Sequence, residues 1–75
     1  MTLRDIEQGG RGRITGIRAR GQLSQKLSDM GFVKGADVQV IRSAPLRDPL
    51  QVKVVHTFIA LRRDEAELVE IEPAQ

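Results

Sequence analysis

Residues 50–61, LQVKVVHTFIAL, decide the fold. In the first half Leu50, Val52 and Val54 point one way and Gln51, Lys53 and Val55 the other. That is the period of a strand with one face in a core. The second half, HTFIAL, is apolar on both faces. It reads as a strand with little solvent exposure, which assigns Phe58 to the core. His56 falls at the hairpin turn between the two, a surface position.

The two-residue period continues on both sides. DVQVIRS, residues 37–43, sets Val38 and Val40 on one face. ELVEIE, residues 67–72, sets Val69 and Ile71 opposite Leu68, Glu70 and Glu72. RRDEA, just before it, has room for a single helical turn, with Asp64 and Glu65 placed to suit the helix dipole. Near the N-terminus, LRDIEQ forms a short lead-in and GGRGRITGI follows. Its glycines, around Ile14 and Ile17, mark a turn and then a bent or bulged strand where backbones come close. Neither GxxxxGK[ST] nor GxGxxG occurs, so this is not read as a phosphate cradle.

One helix interrupts the strands. In GQLSQKLSDMG, residues 21–31, Leu23, Leu27 and Met30 at i, i+4 and i+7 form an apolar stripe, and Gly31 sits where a left-handed residue ends a helix. About ten residues are too few to be stable alone, so the stripe must pack on something. The pattern predicts an all-β domain: a small antiparallel barrel, closed or nearly so, of about five strands. One short α-helix lies between strands 1 and 2.

The 75 residues make one domain, 1–75, near the lower size limit for an unaided core. There is no cysteine, hence no disulfide and no thiolate metal site. No apolar run approaches the roughly 20 residues of a membrane-crossing helix, and MTLRDIEQGG has no apolar signal region. The expectation is a cytosolic protein. Residues 1–42 hold eight basic and four acidic side chains, residues 43–75 four and six. This suits a mixed, solvated surface or a basic face for an anionic partner.

The other marked feature is APLRDPL, residues 44–50. Each proline fixes φ and removes an N–H, and each pushes the preceding residue to extended backbone. Ser43 and Asp48 can bond local backbone. The stretch is a stiff excursion between strands, with Leu46 at its tip. Stiff loops bind at low ordering cost. Pro45, Leu46, Arg47 and Pro49 are therefore candidate partner contacts. Met30 and Phe32, bracketing Gly31, are further candidates, although core packing is the first reading of both.

These segments together resemble the FeoA family, the small accessory proteins of bacterial ferrous-iron uptake. Leu3, Gly9, Gly10, Gly12 and Ile14 look like its opening. Leu27, Met30, Gly31 and Gly35 fit L-x-x-MG-x-x-x-G, with Phe32 inside it. Ala44, Pro45, Asp48 and Pro49 fit AP-x-x-DP. Leu61, Arg62, Glu65 and Ala66 fit LR-x-x-EA before Val69 or Ile71. Lys34 stands where proline is frequent, and Arg47 and His56 where glycine is. The resemblance implies an SH3-like barrel and a non-enzymatic cytosolic role. The implied partner is the membrane ferrous-iron transporter, through its GTP-binding domain. A fainter resemblance is to the SH3-like C-terminal domain of iron-dependent repressors, which would make the chain a stand-alone module for a proline-containing peptide.

Other classes find less support. One histidine, no cysteine and no tyrosine leave little for catalysis. His56 with Asp48 or Glu65 lacks metal-ligand spacing, so no cofactor or metal is expected beyond weak association with ferrous iron. Arg11, Arg13, Arg18 and Arg20 cluster in sequence. A nucleic-acid platform needs exposed aromatics, however, and both phenylalanines are assigned to the core. A sheet edge or the Met30–Phe32 surface could pair two copies.

Overall fold

A computed structural model describes residues 1–43 and 48–74. Five strands, β1 (Arg11–Ile17), β2 (Asp37–Ser43), β3 (Leu50–Val54), β4 (Thr57–Leu61) and β5 (Val69–Ala74), form one antiparallel sheet in the order β4-β3-β2-β1-β5. The helix α1 (Gly21–Asp29) joins β1 to β2, and a single turn of helix, α2 (Arg63–Ala66), joins β4 to β5. A 3-10 turn, Leu3–Asp5, precedes β1. The strand number, the helix position and the turn before the last strand are as the periodicity predicts. The sheet curls around a core to which every element contributes: Leu3, Ile14, Leu27, Val40, Val52, Leu61, Ala66 and Val69 are all essentially inaccessible. No polar or charged residue is buried among the described residues.

The glycines of β1 do what their density suggests. Gly9 turns the chain at φ 87°, and the β1–β5 register slips between Ile14 and Gly16, a bulge. Gly12 packs so tightly that a Cβ there would lie 2.2 Å from Cγ2 of Ile71.

The end of α1 is a Schellman motif. Phe32 N–H donates to Leu27 O at 3.0 Å, Gly31 N–H to Ser28 O at 3.0 Å, and Gly31 has φ 103°. This closure drives Phe32 and Leu27 together into the core, both 0% exposed. The helix docks by this C-terminal turn only. Of the expected stripe, Leu27 is buried and Met30 half-buried, but Leu23 is exposed at the other end.

β3 and β4 are joined by Val55 and His56 alone, with Val54 opposite Thr57. Val55 has φ 56°, a region that a β-branched side chain strongly disfavours and where hairpins normally use glycine. Its N–H donates to Asp37 O at 3.1 Å, so the conformation is held by a neighbouring strand. Left-handed backbone costs about 1–2 kcal/mol, and glycine adds about 0.5–1 kcal/mol of chain entropy to the unfolded state. Val55→Gly should therefore stabilise by up to about 1 kcal/mol and raise the melting temperature by about 4 °C. A lower melting temperature would show that the loop carries no strain.

The other edge is covered. Thr2 bridges to Glu70, and Ile71 N–H donates to Met1 O at 2.9 Å, so the N-terminal residues lie along β5. The Thr2 backbone N–H donates to the Asp5 carboxylate at 2.9 Å, which holds the Asp5 pKa below its ordinary value.

Candidate interaction surface

Of the sequence candidates, Pro45, Leu46 and Arg47 lie outside the described residues. Pro49 is exposed just before β3. Met30 keeps part of its side chain accessible, whereas Phe32 has no surface to offer a partner because the helix cap turns it inward.

Asp48 has a more distant role than the local bend assigned to it. Its carboxylate accepts the backbone N–H of Arg63, the first residue of α2, at 3.1 Å. The second half of APLRDPL is thereby fastened to the turn that leaves β4. Glu65 is committed in the same region: it accepts the Arg62 N–H at 3.1 Å and faces Nζ of Lys26 at 3.1 Å, tying α2 to α1. Arg4 pairs with Glu67 and holds the N-terminal turn against the same helix. Asp48 and Glu65 thus serve the backbone, while His56 stands exposed at the β3–β4 turn. No group of three or more His, Asp or Glu residues is arranged to hold a metal ion among the described residues.

The sequence-clustered arginines do not form one patch free of acids. Arg18 pairs with Glu70, and Arg13 lies 4.0 Å from Asp37. These pairs are exposed and contribute little to stability. Near them, Arg11, Asp37, Gln39 and Lys53 line a polar cleft of about 360 Å³.

Phe58 lies on the surface, contrary to the sequence expectation. It is not core: 70% of it is exposed, and β4 is an edge strand with one wet face. The two-residue hairpin sets Phe58 opposite Lys53 and Ala60 opposite Gln51, all outward, while Ile59 and Leu61 face inward opposite Val52 and Leu50. Nζ of Lys53 lies 5.7 Å from the Phe58 ring centroid, a cation–π contact. With Ile41, also exposed, Phe58 and Ala60 border a depression of about 190 Å³. The signal was in the sequence. Once a two-residue loop is granted, the alternation of LQVKV dictates that of TFIAL, and Phe58 must share the face of Lys53. The correction also removes one ground for setting nucleic acid aside, since one aromatic is now exposed.

A five-stranded antiparallel sheet with one short helix, curled around a single core, defines a small SH3-like domain. The FeoA domain family model matches residues 1–73, and the chain belongs to this family, which is associated with ferrous-iron transport. A Porphyromonas gingivalis protein described as an Fe(2+) transport protein A/Fe(2+) transporter FeoB fusion is 33% identical over 72 residues. These are 96% of this chain and 8% of that protein, so the chain spans a small part of it. The solution structure of iron(II) transport protein A from Clostridium thermocellum superposes with a TM-score of 0.92 at 38% identity, over 97% of this chain and 45% of that one. FeoA of Stenotrophomonas maltophilia, described as an SH3 domain protein complexed with zinc, superposes with a TM-score of 0.85 at 30% identity, over 96% and 89%. No helix here is long and apolar enough to cross a membrane among the described residues.

Proposed function

We propose that this chain acts as a single, non-enzymatic interaction module in the cytoplasm. It binds the cytosolic, GTP-binding part of a ferrous-iron transporter and regulates or assists it. The observation that carries the reading is the fused relative, in which a domain like this one shares a chain with the transporter it would serve. Two domains that evolution joins covalently gain a high effective concentration, which is useful only if they touch. The proline-bearing segment, Pro45 to Pro49, and the accessible part of Met30 are the contacts we assign to this partner. Phe32 acts from beneath by fixing the end of α1. No bound cofactor and no nucleic acid enters the scheme, and ferrous iron is the transporter's cargo.

The test is a titration of the isotope-labelled chain with the cytosolic domain of the transporter from the same organism, with GDP and then a GTP analogue. Saturable amide shifts over residues 30–35 and 44–50 are expected. Leu46→Ala should weaken binding about tenfold, the loss of one apolar anchor, and leave the melting temperature unchanged. Wild-type affinity in that variant discards the loop contact, and no shift in either nucleotide state discards the partner.

A further inference from the structure

The two edges of the sheet differ. β5 is shielded by Met1 and Thr2 and carries Pro73, which has no N–H to give. β4 has no neighbour on its outer side among the described residues. In a two-residue hairpin the closing pair, here Val54 and Thr57, exchanges both hydrogen bonds. Thr57, Ile59 and Leu61 therefore bond to β3, and the N–H and C=O groups of Phe58 and Ala60 point outward from the sheet edge. Natural edges are normally guarded by a charge, a proline or a bulge. TFIAL has none of these and adds an exposed phenylalanine. An unguarded apolar edge of this kind would be an aggregation hazard unless something pairs with it.

The charge around this edge indicates what pairs there. Among the described residues, Arg42, Lys53, Arg62 and Arg63 flank this edge against one acid, Asp48, which is already bonded to the Arg63 N–H, and Asp64 and Glu65 follow on α2. A second copy fits poorly. Pairing β4 with its own image would gather the basic residues that flank it, Lys53, Arg62 and Arg63, from both copies, and the acidic strand β5 is covered along its free side.

We propose that the β4 edge is a strand-addition site for an extended acidic segment of the partner protein. That segment would pair its backbone with Phe58 and Ala60, and set apolar side chains on Phe58 and Ile41 and carboxylates toward Lys53 and Arg42. The inference rests on the reading of this chain as a protein-interaction module. It adds a second contact region, joined to the loop through Asp48 at the exit of β4.

Hydrogen exchange on the full chain tests it with four probes: the transporter's cytosolic domain, a synthetic ten-residue peptide alternating glutamate and valine, an oligouridylate, and the chain alone at rising concentration. The outward amides of Phe58 and Ala60 should exchange quickly in the free chain and become protected by the domain and by the peptide. Phe58→Glu, on a largely exposed residue, and Ala60→Pro, which removes only an outward N–H, should each weaken binding about thirty-fold with the fold intact. If the domain binds but protects only residues 30–35 or 44–50, the edge site is overturned and the proposed function stands. If the peptide protects the edge and the domain does not bind, the edge site stands and the assigned partner falls. Protection by oligouridylate alone, by the chain's own concentration, or by nothing overturns the site.

Discussion

Phe32→Ala should remove about 4 kcal/mol of stability, the cost of emptying a fully buried aromatic position. The residue is 0% exposed, closes the Schellman motif through its own N–H, and packs in the same cluster as Leu27 and Val54. A domain of 75 residues has roughly 4–11 kcal/mol in total. The variant should thus sit near its unfolding threshold at 25 °C, with a much lower urea midpoint and an unchanged urea dependence. Ala keeps the backbone bonds of the cap, so the loss reports the ring itself. Phe32 was also a candidate contact, and the two roles separate cleanly. As a core residue it lowers partner affinity only in proportion to the unfolded fraction, and a stabilising osmolyte should restore binding. A loss of stability under about 1 kcal/mol, with binding abolished, would return Phe32 to the surface.

The fold was legible because three of its determinants are local. Alternation in residues 37–43 and 50–54 set the buried faces, Gly31 set the end of α1, and the glycines around Ile14 set the bulge in β1. What failed was judgement by composition. TFIAL is apolar throughout, so it read as interior, but burial depends on rank in the sheet and β4 is an edge. Leu23 fails for a related reason: its position on the stripe is right, and the helix touches the core only at its other end. The long-range bond of Asp48 to the Arg63 N–H was beyond any local rule, because it joins two connections that meet only when β3 and β4 pair. Of the candidate contacts, Pro45, Leu46 and Arg47 lie outside the described residues, and Phe32 proved to be core because the cap of α1 turns it inward. The open edge was not legible, since it is a property of topology.

Gly12→Ala should cost about 3 kcal/mol, at the upper end for a single added methyl group. The position has no positive φ, so alanine's backbone preference is not the objection. The objection is space. β1 lies between β2 and β5, and a Cβ on Gly12 would come within 2.2 Å of Ile71 Cγ2 and 3.2 Å of the Glu72 carbonyl oxygen. Ile71 is 4% exposed and cannot swing into solvent. Either its side chain leaves its rotamer or β1 and β5 separate, and both disturb the pairing that anchors the last strand. Gly16→Ala is the control on the same strand: its nearest neighbour is the flexible carboxylate of Glu70 at 3.1 Å, which can move, so the loss should stay below about 1 kcal/mol. A double-mutant cycle identifies the clash. Ile71→Ala deletes the offending methyl, and combined with Gly12→Ala it should cost at least about 1 kcal/mol less than the two losses added together. Strict additivity would mean that Gly12 is needed for something other than the room it leaves for Ile71.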